Sequence, residues 1–230
     1  SEETESGMAK REEELLEKVL PRLDLATVFS DGSYRAISRA FPEYRKKVVV
    51  LRHGVHLYPQ IEKVKAREKL LKYLIEKAEI SPRKKQELKD LYPKFFSDDT
   101  ILMGNFGFIT PDKDPLQLYR IGELVQEEVH SREVVVLYIG RIQKRKDRKM
   151  EKSLPILKDL QALHDGKKKL FIEDYLSEEV FPYAFGALDY SIFWCHNATQ
   201  SGRMAHAMGT PTCVVGRRIE GVGETLDLAG

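Results

Sequence analysis

The sequence has 230 residues and a formal net charge of +2, because 38 lysines and arginines nearly balance 36 aspartates and glutamates. Hydrophobic residues make up 42% of the chain and charged residues 32%, which excludes a disordered or collagen-like chain. This length suits one large domain or two small ones. The balanced charge argues against a general nucleic-acid binder, so an anionic ligand would have to be held by a local patch.

No apolar run approaches the roughly 18 residues that a membrane helix needs, and residues 1–5 lack the basic and apolar parts of a signal peptide. We therefore expect a cytoplasmic protein. Cys195 and Cys213 lie in apolar segments without metal-ligand spacing. We expect them to be small buried hydrophobes, with neither a metal site nor a disulfide.

The first part of the chain predicts the order helix, strand, helix, strand. Good helix formers fill residues 8–20. Short apolar runs at residues 25–29 and 47–52 are typical of strands, and residues 34–40 between them predict a helix. We interpret residues 1–56 as a partial N-terminal domain.

A charged helical segment follows at residues 57–99. Lysine and glutamate recur at helical spacing over residues 61–78. A second helix is expected over residues 82–91, with Ser81 as its N-cap and Pro82 in its first turn. We predict that this segment is a helical linker or insertion.

From residue 100 onward, strand-like and helix-like segments alternate regularly. The strand-like runs are residues 101–109, 133–142, 169–172, 190–195 and 212–215. Helices are expected at residues 115–130, 154–164, 177–188 and 200–208, with a partial one from about residue 223. Because the strand-like runs are continuously apolar, both faces of the sheet should be covered. We therefore predict an α/β fold over residues 100–230, with a doubly wound parallel, Rossmann-like sheet.

Ligands of such a sheet bind beyond the carboxyl ends of its strands, so the loops there are the candidate sites. The loop after the first run contains Gly107, Phe108 and Lys113. Glycine lets a backbone approach a ligand closely, and a lysine ammonium is suited to a phosphate. A glycine turn with an exposed lysine explains the same residues.

The loop after the fourth run begins with His196, which is placed to touch a ligand. Residues 199–202, which are Thr199, Gln200, Ser201 and Gly202, then open a helix. Their backbone amides and the positive helix end would form an anion site. A helix N-cap by Thr199 or Ser201 with nothing bound is the alternative.

Two further loops carry polar residues. After the fifth run, Glu220 or Glu224 would suit the hydroxyls of a ribose and Arg217 a diphosphate, although a solvated loop explains them equally. After the third run, Glu173 and Tyr175 lie where backbone contacts to a nucleobase would occur, with a simple helix cap as the alternative.

A basic segment begins at Arg141 and ends at Lys152, with seven basic and two acidic residues. Such a run is typical of a solvated loop. The alternative is a peripheral contact with anionic lipid headgroups at a membrane surface.

Residues 104–224 resemble the C-terminal, nucleotide-sugar-binding half of GT-B glycosyltransferases, particularly the retaining group 1 family. The resemblance rests on the loop from Gly107 to Lys113, on residues 176–180 and 187–192, on Ser201-Gly202, and on residues 207–215. Upstream, residues 24–30 resemble the end of that family's N-terminal domain, and residues 48–55 resemble its strand into the interdomain cleft.

The resemblance implies transfer of a sugar from a nucleoside-diphosphate donor to a hydroxyl of a glycan, lipid or small-molecule acceptor. It implies no metal and no cofactor besides the nucleotide sugar, and no nucleic-acid partner is expected. The expected residues are Lys113 and His196 for catalysis; Gly107, Phe108, Thr199, Gln200, Ser201, Gly202 and Arg217 for the donor diphosphate; and Glu173, Tyr175, Glu220 and Glu224 for ribose and base.

The sequence departs from the family pattern at three places. Phe108 stands where members often carry an arginine, and His196 and Met204 stand where they often carry two glutamates. Glu220 and Glu224 are candidates to substitute for these. The chain also holds only about one and a third of the family's two halves, which suggests a fragment or a reduced member.

Two other functions remain open. One is a non-catalytic module that retains the nucleotide cleft. The other is a sugar-nucleotide epimerase, which would need acidic residues directly after Ser201-Gly202; Arg203, Met204, Ala205 and His206 do not supply them.

Overall fold

The structure is a computed structural model that describes residues 4–5, 7–143 and 148–229, with only the backbone of residues 148 and 149. Residues 144–147 of the basic segment lie outside the described residues. The membrane contact expected of that segment therefore stays a prediction. Among the described residues, no helix has the length and apolar character needed to cross a membrane.

The described helices are α1 (Lys10–Val19), α2 (Asp31–Ala40), α3 (Lys63–Glu76), α4 (Pro82–Asp90), α5 (Tyr92–Phe95), α6 (Leu116–Glu128), α7 (Arg148–Leu163), α8 (Phe181–Gly186), α9 (Gly202–Met208) and α10 (Glu220–Ala229). The strands are β1 (Ala26–Val28), β2 (Val48–Val50), β3 (Thr100–Phe106), β4 (Glu133–Ile139), β5 (Lys169–Ile172), β6 (Tyr190–Phe193) and β7 (Cys213–Gly216).

The chain divides into two compact units. Unit 1 contains Ser1–Gly54, Asn197–Ser201 and Arg218–Gly230, and unit 2 contains Val55–His196 and Gly202–Arg217. The division predicted from the sequence placed all residues after 100 in one domain. The contacts instead group the loop 197–201 and the C-terminal helix α10 with the N-terminal residues.

Unit 2 is built on a five-stranded parallel sheet of order β5-β4-β3-β6-β7. This confirms the predicted doubly wound sheet. Residue Thr100 of β3 pairs with Glu133 of β4, and Met103 pairs with Tyr190 of β6. The chain runs outward from β3 to β5 and then returns to β6 on the other side of β3. The strand order therefore reverses between β3 and β6, which is where such sheets bind ligands.

The core of unit 2 explains why apolar and polar residues do not alternate along its strands. Every residue of β3 is buried. One face of the sheet packs into a cluster of buried residues that includes Ile101, Val136 and Phe171 with Leu118 and Leu160 from the helices. Buried apolar area drives this packing at roughly 25 cal/mol per Å².

The helical insertion is part of unit 2 and packs beside its sheet. Ser81 caps α4 by accepting a hydrogen bond from the Lys84 amide at 3.3 Å, as predicted. The guanidinium of the buried Arg67 in α3 donates to the carbonyls of Ala187 and Phe95 and pairs with Asp189 at 2.8 Å. These bonds fasten α3 beside β6.

Unit 1 contains a two-stranded parallel sheet of β1 and β2, with Ala26 opposite Val48. Its core consists of Met8, Leu20, Ile37, Phe41 and Val48. The smaller sheet matches the partial N-terminal domain predicted as part of the fold.

Three helices differ clearly from their predicted bounds. Helix α7 begins at Arg148 instead of residue 154. Helix α2 begins at Asp31 rather than at residue 34, because the Ser30 hydroxyl accepts a hydrogen bond from the Ser33 amide and serves as the N-cap. Helix α8 spans only Phe181–Gly186, not residues 177–188. Its first turn contains Pro182, a residue that fits there because it has no amide hydrogen to donate.

Candidate functional site

The candidate site of unit 2 lies beyond the carboxyl ends of β3 and β6. The loop after β3 turns at Gly107, whose φ is +129°, a conformation that favours glycine. A Cβ atom there would lie 2.7 Å from the Cδ of Arg203. The chain then forms a short 3₁₀ turn, Pro111–Lys113, and Asp114 takes the left-handed conformation with φ of 36°. Lys113 thus ends a turn and does not start α6.

Lys113 is half-buried at this strand end. Its ammonium lies 5.9 Å from the centre of the Phe108 ring. Among the described residues, no hydrogen bond or ion pair engages this ammonium. Burial, and secondly the charge of Arg203, lower the pKa of Lys113 to about 8. A bound anion would stabilise the charged form of Lys113 and so raise its pKa again.

Arg203 is a residue of this site that the sequence did not assign. It lies in α9, and its Nη1 donates to the Phe106 carbonyl at 2.6 Å and to Asn105 Oδ1 at 3.3 Å. Two cations therefore lie near the end of β3. The sequence did indicate that an arginine is missing from the loop, since Phe108 occupies the place of an expected arginine. Only the fold shows that α9 brings another arginine there.

A buried tyrosine holds the Gly107 loop in place. The hydroxyl of Tyr138 in β4 donates to the Gly107 carbonyl at 3.1 Å. Burial raises the pKa of Tyr138 to about 12. The phenol is therefore neutral at ordinary pH and keeps its hydrogen for this bond.

An aromatic stack lies beside Lys113. The rings of Phe108 and Tyr175 are 5.1 Å apart and inclined by 26°. The Arg141 guanidinium lies 4.8 Å from the Tyr175 ring centre, and Tyr175 remains 39% exposed. The structure thus joins Lys113, Phe108 and Tyr175, three of the residues predicted to bind a nucleotide. Glu173 lies two residues before Tyr175 and is exposed.

His196 and Arg217 form a second group in unit 2. Arg217 Nη1 lies 3.2 Å from His196 Nδ1, and His196 Nε2 lies 3.1 Å from Asp114 Oδ2. Since arginine can only donate, Nδ1 accepts and Nε2 carries the hydrogen that is donated to Asp114. The His196 amide also donates to the Asp112 carbonyl at 2.8 Å. His196 thus fastens its loop to the Lys113 turn.

The predicted donor loop is divided between the two units. Thr199, Gln200 and Ser201 belong to unit 1, while Gly202 begins α9 in unit 2. Helix α9 has 7 residues, and Thr199 and Gln200 are exposed. The anion-binding role of these residues stays a prediction.

Glu224 and Glu220 lie within unit 1. The Glu224 carboxylate accepts from the amides of Asp31 and Gly32 at 2.7 and 3.1 Å, and it pairs with Arg52 at 3.0 Å. Glu220 accepts from the Ser30 hydroxyl at 2.5 Å. These acids cap α2 and tie α10 to it. Their predicted ribose contacts stay predictions, and their structural contacts were not expected.

The folds of the two units are those of GT-B glycosyltransferases. A UDP-forming alpha,alpha-trehalose-phosphate synthase from Burkholderia xenovorans, in complex with glucose-6-phosphate, has a TM-score of 0.65 with 12% identity, over 93% of this chain and 50% of that one. A trehalose-6-phosphate structure from E. coli, bound with UDP-2-fluoro glucose, has a TM-score of 0.65 with 11% identity, over 95% and 51%.

A more distant structure has the same fold. The catalytic domain of starch synthase IV from Arabidopsis thaliana, bound to ADP and acarbose, has a TM-score of 0.55 with 12% identity, over 89% of this chain and 41% of that one. The chain spans about half the length of the trehalose-phosphate synthases that it resembles. No protein-family model matches the sequence, and no curated protein matches it.

Proposed function

We propose that this chain binds a nucleoside-diphosphate sugar and serves the transfer of the sugar to a hydroxyl of a glycan, lipid or small-molecule acceptor. The observation that carries the proposal is the pair of cations at the end of β3. Lys113 is half-buried with its pKa lowered to about 8, and Arg203 lies close enough to contribute to that shift. A diphosphate is the ligand whose charge would stabilise both.

The fold supports the same ligand class. Solved structures with this fold hold UDP-2-fluoro glucose in one case and ADP with acarbose in another. The aromatic stack of Phe108 and Tyr175 lies next to Lys113, and a nucleobase that displaces the Arg141 guanidinium can stack on the Tyr175 ring. A nucleoside diphosphate would then extend from the stack to the two cations.

In this proposal catalysis comes mainly from stabilising the departing diphosphate. The bond between the sugar carbon and the phosphate oxygen breaks, and the acceptor oxygen bonds to that carbon. Negative charge grows on the diphosphate as its bond breaks, so preorganised cations such as Lys113 and Arg203 lower the barrier. If the ligand draws Arg217 away from His196, the free Nδ1 can take the proton of the acceptor hydroxyl.

A second candidate function is a binding module without turnover. Met204, which stands at one of the two expected glutamate positions, is 2% exposed and apolar. At the other expected glutamate position, both ring nitrogens of His196 form hydrogen bonds, with Arg217 and Asp114. These replacements remove the carboxylates on which the family pattern relies.

Titration calorimetry with UDP, GDP and ADP tests the proposed ligand. We expect Lys113→Ala to weaken binding of the best nucleotide by about 1 to 3 kcal/mol, because a charge-assisted contact is lost. Lys158→Ala, on an exposed position of α7, is the matched control and should bind like the unchanged protein. If the Lys113 variant binds equally well, the proposed site is wrong.

Product analysis with labelled nucleotide sugars separates the functions. Label recovered on a hydroxyl acceptor supports transfer. An epimerised nucleotide sugar would identify an epimerase, and binding without any product would favour the non-catalytic module.

A further inference from the structure

An open cavity of about 420 Å³ lies between the helical insertion and the loop after β5. It is lined by Glu79, Ile80, Ser81, Lys84, Arg141, Glu173 and Asp174. Arg141 belongs both to this cavity and to the cation contact with Tyr175. The cavity therefore adjoins the aromatic stack on which the proposed function places a nucleobase.

The cavity offers hydrogen-bond acceptors from three carboxylates. Asp174 is half-buried, and the one hydrogen bond that its carboxylate receives from the described residues is long, 3.4 Å from the Tyr73 hydroxyl. Glu173 accepts from Gln161 at 3.0 Å through one oxygen. Within the part of the chain that the structure describes, Asp174 and Glu79 form no ion pair. These carboxylates retain acceptor capacity for a ligand.

The two cations of the cavity, Lys84 and Arg141, differ in their bonds to the rest of the protein. The Lys84 ammonium donates to the Phe171 carbonyl at 3.0 Å, and burial lowers its pKa. Arg141 is exposed and lies over Tyr175, with no ion pair among the described residues. The free polar groups that face a ligand here are therefore carboxylate oxygens and one guanidinium.

This set of groups matches one nucleobase. Guanine carries two adjacent donors, N1–H and the N2 amino group, and two adjacent acceptors, O6 and N7. A carboxylate can accept from both donors, while a guanidinium can donate to both acceptors. Uracil places its single N–H between two carbonyl oxygens, which a carboxylate repels. Adenine has an amino group beside a ring nitrogen that also accepts, so a carboxylate can use only one donor.

We propose that the nucleotide bound by this chain is a guanosine diphosphate derivative. The base displaces the Arg141 guanidinium from the face of Tyr175 and stacks there. Asp174 accepts from N1–H and the N2 amino group, and the displaced guanidinium donates to the O6 and N7 edge. This inference rests on the proposed function, because it takes the nucleotide to lie across the Phe108 and Tyr175 stack. Glu79 and Glu173 surround the base with further negative charge.

Calorimetric comparison of GDP, UDP and ADP is the first test. One bidentate pair discriminates between bases by about tenfold or more, so GDP should bind at least about tenfold more tightly than UDP and ADP. Equal binding of the three nucleotides, or tighter binding of UDP or ADP, would overturn the guanine assignment. If none of the three binds, the proposed function itself fails, so the two failures are distinguishable.

Asp174→Asn with xanthosine diphosphate is the sharper test. Xanthine carries a carbonyl oxygen in place of the N2 amino group of guanine, and an asparagine can accept from N1–H and donate to that oxygen. The variant should lose about tenfold or more in GDP affinity and gain affinity for xanthosine diphosphate, a reversal that misfolding cannot produce. A variant that keeps the preference for GDP would refute the role of Asp174.

Two control variants separate recognition from structure. Tyr73→Phe removes the hydrogen bond to Asp174 but leaves the Asp174 carboxylate in place, so the preference for GDP should persist. Glu179→Gln changes an exposed acid that does not line the cavity, and it should bind all three nucleotides like the unchanged protein. Loss of the preference in either variant would contradict the assignment.

Discussion

The lowered pKa of Lys113 predicts that nucleotide affinity decreases with pH. A lysine binds a diphosphate only in its charged form, and the free protein holds this charge with a pKa of about 8. The charged fraction of Lys113 is then about nine-tenths near pH 7 and about one-tenth near pH 9. Because the bound anion raises the pKa, binding takes up a proton in this range, and the affinity should fall by about tenfold from pH 7 to pH 9.

The assay is calorimetry of GDP binding from pH 7 to pH 9 in buffers of different ionisation enthalpy, which reports proton uptake directly. Lys113→Arg keeps the charge throughout this range, so its affinity should not change with pH. Tyr138 does not interfere, since burial raises the pKa of its phenol to about 12. A flat profile for the unchanged protein, or an unaltered slope in the arginine variant, would refute the reasoning.

Two further substitutions test the scaffold around the sites. Glu224→Gln should lower the free energy of unfolding by about 1 to 3 kcal/mol in urea titrations, because the charge that caps α2 and pairs with Arg52 is lost. The control is Asp227→Asn, whose partner is a mostly exposed arginine; it should change the free energy of unfolding by less than about 0.5 kcal/mol. Similar losses in the two variants would contradict the capping role. Gly107→Ala should destabilise the fold by about 1 to 2 kcal/mol and weaken nucleotide binding. The reason is that the new Cβ would lie 2.7 Å from the Arg203 side chain, on a backbone with positive φ. Full retention of nucleotide affinity would show that Arg203 does not take part in binding.

Local sequence patterns predicted most of unit 2. Continuous apolar runs predicted the parallel strands because both faces of this sheet are covered, and Ser81 with Pro82 predicted the start of α4. The bounds of α2 and α8 were wrong where a single residue decides them. Ser30 acts as a cap instead of ending a loop, and Pro182 lies at the start of α8 instead of in its interior.

The candidate site was predicted only in part. Strand-end loops placed Lys113 and Tyr175 correctly beyond the sheet, since parallel strands all end at one edge. The sequence did not indicate that the charge of Arg203 acts on Lys113, because the two residues are 90 positions apart in the chain. The same holds for Asp174 and the helical insertion, which share a cavity although long stretches of chain separate them.

Sequence patterns were enough to predict the class of fold, the order of strands and helices, and the edge of the sheet that carries the candidate site. These properties depend on periodicity and on residues that are neighbours along the chain. Three features became visible in the folded protein alone: Glu224 caps α2, His196 is held between Asp114 and Arg217, and a second cation accompanies Lys113. Each of these depends on side chains that folding brings together from distant segments, and the burial that lowers the pKa of Lys113 exists only in the packed protein.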